Sequence, residues 1–167
     1  MKGAKDIGRN IRICPRGQEG ALGIFEPVVG AAGGCVPAPP SYARRVREIC
    51  DRHGILLIAD EVMSGAGRCG TWRALETDGV EPDIMVVGKG ITGGMYPIAC
   101  VVVSEECSAW LKEDGFGHIS TGGGSELGCI VSLKVLEICG RPEVRSMTHY
   151  IVERFQQGLR QIQEIYP

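Results

Sequence analysis

Two charged residues of this sequence come just after runs of apolar residues, and both could take part in chemistry. Asp60 directly follows Ile55-Leu-Leu-Ile-Ala, and Lys89 follows Ile84-Met-Val-Val after a single glycine. A carboxylate can stabilise a neighbouring cation, and a lysine that is partly removed from water has a lowered pKa and presents a nucleophilic amine. Each could equally be an ordinary charged residue that leaves a strand for water, and position alone does not decide between the two.

Asp60 is followed by Glu61, so a pair of carboxylates acting together in acid–base catalysis is a further possibility. Adjacent residues of a strand point to opposite faces, so the two side chains are not expected to share a proton. We therefore expect one of them to face a site and the other to be structural.

Two glycine-rich segments match nucleotide-binding motifs only in part. Residues 65–70 read GAGRCG, but five residues separate them from the preceding strand and no helix start follows, as a dinucleotide fingerprint requires. Gly88-Lys89-Gly90 lacks the rest of the phosphate-loop motif GxxxxGK[ST]. A third segment, with His118, Ser120 and Thr121 ahead of a helix, could bind an anion or simply cap that helix.

Composition narrows the class of protein. The chain has 167 residues and a net charge of −2, which suggests one domain and gives no electrostatic footprint for nucleic acid. No apolar run reaches the ~18–20 residues of a membrane-spanning helix, and the first residues lack the apolar core of a secretory signal, so a cytoplasmic protein is expected. The eight cysteines form no CxxC pair, which favours buried, reduced thiols over a zinc site.

The apolar patterns predict the elements that would position these residues. Strands are predicted over residues 21–26, 55–59, 84–87 and 98–103. Helices are predicted over residues 42–53, 105–112, 126–139 and 142–166. Ser41 and Gly54 are predicted to delimit the first helix, and residues 30–40 are predicted to form an irregular glycine- and proline-rich loop.

This alternation is typical of an α/β fold with a mostly parallel sheet and helices on both faces. The continuous apolar run of residues 55–59 indicates a strand buried on both faces. The helix over residues 126–139 is apolar nearly all round and is expected to be buried or in an interface, and that over 142–166 carries a single apolar stripe. Ligands of such sheets bind at the carboxyl ends of the strands, where Asp60 and Lys89 would both lie.

Four segments, taken together, resemble the class III aminotransferases. They are IFEPVVG at residue 24, ILLIADEV at residue 55, GxGRxG at residue 65 and PDIMVVGKG at residue 82, and their order and spacing match that family over residues 21–167. The resemblance implies part of the large domain of a fold-type I transferase that depends on pyridoxal phosphate (PLP). It further implies an irregular segment over residues 1–20 and the absence of the small domain, as expected of a fragment.

The resemblance also implies roles for individual residues. Lys89 matches the lysine that forms a Schiff base with PLP, and Asp60 matches the carboxylate that pairs with the pyridine nitrogen. Val62 matches an apolar residue packed on the ring, and Thr121 matches a hydroxyl that holds the cofactor phosphate across a dimer interface. Glu26 matches a glutamate near the site.

Some positions depart from the family pattern. Ala31 stands where several members have a glutamate that gates a substrate-binding arginine, and Val29 and Met63 replace frequent glutamines. Arg68 matches a family arginine that we interpret as structural.

The implied activity is transfer of an amino group from an amine or amino acid to a 2-oxo acid by a homodimer. Two alternatives stay open at this point. The same core could serve an aminomutase or a decarboxylating transaminase, and a truncated remnant could keep Lys89 without catalysing anything.

Overall fold

A computed structural model of the chain describes residues 22–30, 33–108 and 119–166. Within these ranges the strands are β1 (Leu22–Phe25), β2 (Val28–Val29), β3 (Val36–Pro37), β4 (Leu56–Asp60), β5 (Ile84–Val87) and β6 (Cys100–Val103). The long helices are α1 (Tyr42–His53), α2 (Glu126–Cys139) and α3 (Pro142–Ile165). Short 3-10 helices span Ala74–Asp78 and Lys89–Thr92.

Four strands form one sheet in the order β1-β4-β5-β6. Strands β1, β4 and β5 are parallel, with Phe25 opposite Ala59 and Asp60 opposite Val86. Strand β6 is antiparallel to β5, which a short connection without a crossover helix allows. The prediction of a mostly parallel sheet with helices is therefore confirmed.

Helix α1 packs on this sheet and forms the main core. It begins and ends at the predicted residues because its apolar side chains recur on one face and Gly54 adopts the left-handed conformation (φ 62°) that ends a helix. Its buried residues Ala43, Val46 and Cys50 meet Leu57 and other side chains of the sheet. The predicted cap at Ser41 is wrong in its mechanism, since the Ser41 side chain makes no capping hydrogen bond.

Two strand predictions need correction. Strand β4 is covered on one face only: Leu57 and Ala59 are fully buried, whereas Leu56 and Ile58 are half-buried on the opposite face. The predicted loop of residues 30–40 includes β3, which pairs with β2 in a small antiparallel hairpin that tolerates Pro37. The remaining strand bounds agree to within about two residues.

Helices α2 and α3 have the predicted bounds to within one residue, but α2 is not buried. Only Gly128 and Ser132 of α2 are buried, and none of the α3 residues is. The predicted apolar stripe of α3 exists and is exposed. Its members are Met147, Ile151, Phe155, Leu159 and Ile162.

The cysteines are less buried than predicted. Cys50 is buried, and burial raises the pKa of its thiol, but three others are exposed. All the cysteines of the described ranges are free; the exposed ones are Cys35, Cys69 and Cys129.

Some predictions fall outside the described residues: the irregular segment 1–20, Ala31, His118 and the second half of the helix predicted over residues 105–112, of which residues 105–108 are helical. Among the helices that are described, none is both long and apolar enough to span a bilayer.

Candidate active site

Asp60 is the last residue of β4 and lies at the carboxyl edge of the sheet. Its side chain is half-buried, and the carboxylate oxygen Oδ1 accepts a hydrogen bond of 3.1 Å from the backbone N–H of Val62. This bond fixes one oxygen and leaves the other without a protein partner among the described residues. An acceptor held in this way can pair with a cationic ring nitrogen.

Lys89 begins the 3-10 turn that follows β5, at the same edge of the sheet. Its backbone has φ of 43°, a left-handed conformation that non-glycine residues adopt at a cost in free energy. Its side chain is exposed and forms no ion pair within the described part of the chain. The partial removal from water that the sequence suggested for Lys89 is therefore not provided by the described residues.

The turn that carries Lys89 rests on the segment that follows Asp60. A Cβ atom placed on Gly88 would lie 3.4 Å from Cγ1 of Val62, and one placed on Gly90 would lie 3.4 Å from Cβ of Ala66. Val62 and Ala66 thus lie beside the two residues that flank Lys89, one on each side of the turn.

Glu61 points away from this edge and is fully buried. Its carboxylate accepts hydrogen bonds from the Ser64 hydroxyl (2.5 Å) and from the backbone N–H groups of Ala74 (3.0 Å) and Leu75 (3.1 Å). Asp60 shares none of these partners, so of the two adjacent carboxylates Glu61 is the structural one.

A cavity of about 650 Å³ opens beside Asp60. Its walls are mainly apolar and include the edge-to-face aromatic pair Phe25–Tyr42, whose ring centroids lie 5.6 Å apart. Burial raises the pKa of the Tyr42 phenol. Glu26 also lines the cavity, and its Oε2 accepts a hydrogen bond of 2.8 Å from the N–H of Gly30. Lys89 is not among the lining residues, so it shares the sheet edge with Asp60 but not this cavity.

The segment before α2 is exposed at Thr121. No hydrogen bond or ion pair within the described ranges joins Thr121 to Asp60, Val62 or Lys89. The cap of α2 is Ser125, whose hydroxyl accepts a hydrogen bond from the N–H of Gly128. Of the four residues singled out from the sequence, Asp60, Val62 and Lys89 lie at or just after the carboxyl ends of β4 and β5, and Thr121 lies on the surface.

Sequence reasoning did not foresee two features of this edge. The position of Ala66 beside Gly90 of the Lys89 turn follows from the course of the loop, and the sequence carries no signal for it. The cavity beside Asp60 depends on how the β2–β3 hairpin stands over β1, and the sequence carries no signal for that. No group of three or more metal-ligating side chains occurs in the described ranges.

These features define an α/β protein whose mostly parallel sheet has a lysine turn and an aspartate at one edge. Comparison with known proteins gives its family. The model of the family "Aminotransferase class-III" matches residues 17–167. This chain belongs to the class III aminotransferases.

Individual relatives agree. The 5-aminovalerate aminotransferase DavT of Pseudomonas putida is 43% identical over 144 residues, which are 86% of this chain and 33% of that protein. The mitochondrial ornithine aminotransferase of Rattus norvegicus is 42% identical over 69% of this chain and 26% of that protein. The chain thus spans about a third or less of the length of these relatives.

Solved structures give the same answer and confirm the fold type. An S-selective transaminase from Arthrobacter sp. with alanine bound superposes with a TM-score of 0.80 at 30% identity, over 86% of this chain and 31% of that one. The ornithine aminotransferase of Toxoplasma gondii, which has partial occupancy of PLP at its active site, gives a TM-score of 0.75 at 33% identity, over 83% and 32% of the two chains.

Proposed function

We propose that this chain carries the PLP-binding core of an aminotransferase that moves an amino group from an amine or amino acid to a 2-oxo acid. One observation carries the proposal. Asp60 is paired in register with Val86, and Lys89 follows Val86 by three residues, just past the end of the neighbouring parallel strand, so a carboxylate and an amine without an ion-pair partner in the described ranges lie at the same edge of the sheet. Family membership supports it.

The residues of this edge suit PLP chemically. Asp60 has a carboxylate oxygen without a protein partner in the described ranges, as needed to pair with a protonated pyridine nitrogen. Val62 offers an apolar side chain beside Gly88, suited to the face of a ring. When bound, PLP supplies an electron-withdrawing ring that stabilises negative charge at the substrate carbon.

Lys89 would hold the cofactor through its amine and, once released from it, would act on a proton. Its side chain is exposed and carries no salt bridge in the described part of the chain, so no acidic side chain there holds it away from a ligand. The released amine would take a proton from the substrate carbon and return it. The bond from the N–H of Val62 holds the Asp60 carboxylate in place.

Thr121 would serve the phosphate of a cofactor bound by a second copy of the chain. The exposure of Thr121 is compatible with that role, which requires a homodimer. The domain assignment follows the same logic: residues 21–167 would form part of a large, cofactor-binding domain. Free cysteines throughout the described ranges favour a reducing compartment such as the cytoplasm.

Chemical trapping tests the proposal. The folded chain is incubated with PLP, reduced with borohydride and digested, and the modified lysine is identified by mass spectrometry. We expect the adduct on Lys89, its loss in Lys89→Arg, and a weaker adduct in Asp60→Asn. Lys134→Arg is the matched control, because Lys134 is an exposed lysine on α2 that pairs with Glu137. A folded chain that labels Lys134 as readily as Lys89 would contradict the proposal.

A non-catalytic core is the second candidate, favoured by the exposure of α2 and α3. Amine-donor turnover by the 167-residue chain separates the two. We expect weak or no turnover even where Lys89 is labelled, because the chain spans about a third of the length of its relatives. Turnover at the rates of those relatives would exclude the non-catalytic candidate.

A further inference from the structure

Glu61 is a fully buried carboxylate that forms no salt bridge within the described ranges. Burying a charge is costly unless hydrogen bonds compensate for the lost water. Three donors provide that compensation, and two of them are backbone N–H groups 13 and 14 residues further along the chain. The Glu61 side chain therefore closes a loop over residues 61–75.

The backbone of Glu61 ties the same loop to the sheet. Its N–H donates a 2.9 Å hydrogen bond to the carbonyl of Val86 on β5, and its carbonyl accepts one of 2.8 Å from the N–H of Gly65. A Cβ atom on Gly65 would lie 2.7 Å from that carbonyl oxygen, so only glycine fits there. Glu61 thus joins β5, the first turn of the loop and the 3-10 helix at Ala74.

The loop in turn supports Lys89. Ala66, next to Gly65, has φ of 57°, and its N–H donates a 3.0 Å hydrogen bond to the carbonyl of Trp72. Its Cβ faces Gly90, immediately after Lys89: a Cβ atom placed on Gly90 would lie 3.4 Å from Cβ of Ala66 and 3.8 Å from the carbonyl oxygen of Gly65. Two residues with left-handed backbones, Ala66 and Lys89, therefore lie at the place where the loop approaches Gly90. Such conformations persist only where the surrounding structure holds them.

We infer that Glu61 is a positioning residue: by closing the loop it fixes the Lys89 turn relative to Asp60. This inference rests on the proposed function for its chemical meaning. The Glu61 side chain forms no hydrogen bond with Asp60 or Lys89 in the described ranges, and the loop that it closes reaches the Lys89 turn through Gly65 and Ala66.

The substitution Glu61→Gln disrupts the hydrogen bonds that the buried carboxylate accepts, with almost no change in side-chain size. Glutamine has one acceptor oxygen and a donor NH2 group. Whichever way the amide is turned, the NH2 group faces the N–H of Ala74 or of Leu75 and leaves it without an acceptor. The loop then loses a buried hydrogen bond at the point where it is closed.

Asp83→Asn is the matched control. Asp83 also accepts a backbone hydrogen bond in the sheet, 2.7 Å from the N–H of Leu57, and it pairs with Arg47 of α1. It lies at the opposite, amino-terminal end of β5, so its substitution weakens the fold without touching the loop of residues 61–75.

Hydrogen exchange of the chain without added cofactor gives the first readout. We expect Glu61→Gln to speed exchange of the Ala74 and Leu75 amides and, by about tenfold, of the Ile91 and Gly93 amides that close the Lys89 turn. Asp83→Asn should leave Ile91 and Gly93 unchanged. Faster exchange at Ala74 and Leu75 alone, or equal acceleration at Ile91 in both variants, would overturn the inference.

Trapping of PLP with borohydride gives the second readout. The PLP concentration that half-labels Lys89 should rise about tenfold in Glu61→Gln and stay unchanged in Asp83→Asn, compared at a temperature where circular dichroism shows both folded. If the unmodified chain is never labelled, the proposed function fails, while the exchange experiment still decides the role of Glu61.

If the Glu61→Gln variant does not fold, the Ser64→Ala variant is used in its place. This variant removes one donor to Glu61 and keeps the carboxylate and both backbone bonds. Faster exchange at Ile91 in Ser64→Ala supports the inference, and unchanged exchange there overturns it.

Discussion

The layer formed by α1 and the layer formed by α2 and α3 are both rich in apolar residues, but only the first is covered. Helix α1 buries Ala43, Val46 and Cys50 against the sheet, and Leu57 and Ala59 opposite them are fully buried. Helix α3 buries none of its residues, and its stripe member Phe155 is 69% exposed.

The difference shows that an amphipathic pattern tells which residues share a helix face but not whether that face is buried. In both layers the pattern predicts correctly which residues lie on one face of a helix. Whether that face is buried depends on what packs against it, and the pattern says nothing about this. An apolar stripe exposed from Met147 to Ile162 is a surface suited to packing against more polypeptide.

The largest effect should come from breaking the covered layer. Leu57→Ala removes a side chain that is fully buried in the centre of the sheet, and such truncations cost about 2–5 kcal/mol in the free energy of unfolding. Leu159→Ala on the exposed stripe should cost no more than about 0.5 kcal/mol. Chemical denaturation of both variants measures the contrast, and equal losses would show that α3 packs as tightly as α1.

Much of the fold follows from local signals. The bounds of α1, α2 and α3 could be predicted because each combines apolar periodicity with a local start or stop, such as Gly54 after α1 and Pro142 at the first turn of α3. Strand β5 could be predicted from its continuous apolar run. These signals act within a few residues and do not depend on distant contacts.

Burial and pairing could not be predicted in the same way. The apolar run of β4 suggested two covered faces, yet one face is only half-buried because no described element covers it fully. The two-residue strand β3 exists through its pairing with β2, not through its own propensity. Exposed cysteines such as Cys129 were mispredicted for the same reason, since α2 is not covered.

The candidate site divides similarly. That Asp60 and Lys89 lie at one edge follows from the rule that parallel strands end together. That one of Asp60 and Glu61 is structural follows from strand alternation, and the burial of Glu61 shows which one. The hydrogen bonds of Glu61 to Ala74 and Leu75 depend on the course of the loop over residues 61–75, which no short pattern encodes. The same holds for the exposure of Lys89.

Lowering the pH is expected to have an intermediate effect on the free energy of unfolding, and the effect should differ between the two layers. Burial disfavours the charged form of Asp83, but hydrogen bonds from Arg47 and from the N–H of Leu57 outweigh it and lower its pKa. A carboxylate with a lowered pKa in the folded state stabilises the protein at neutral pH and loses that contribution as pH falls below about 4. Asp83→Asn should cost about 1–3 kcal/mol at pH 7 and reduce the loss of stability in acid.

Glu137 on α2 is the comparison for this prediction. Hydrogen bonds from Lys134 and Arg141 lower its pKa, but the group is fully exposed, so solvent screens these pairs. The free energy of unfolding is measured by denaturation at several pH values between pH 3 and pH 7, roughly the range in which carboxylates titrate. Its dependence on pH should become less steep in Asp83→Asn and should not change in Glu137→Gln. A larger change in Glu137→Gln would mean that the α2 layer carries the acid sensitivity.

The smallest effect on stability should come from the α3 stripe, where the change appears in association instead. Phe155→Ser replaces a large exposed apolar side chain by a residue of similar helix propensity, so the free energy of unfolding should change by no more than about 0.5 kcal/mol. Sedimentation velocity should show less concentration-dependent association, because the exposed apolar surface of the stripe shrinks. Gln156→Ser, one residue away on the same helix, changes the polar surface and should leave association as it was. A loss of about 2 kcal/mol or more in Phe155→Ser would mean that the stripe is packed within the chain, and the contrast between the two layers would disappear.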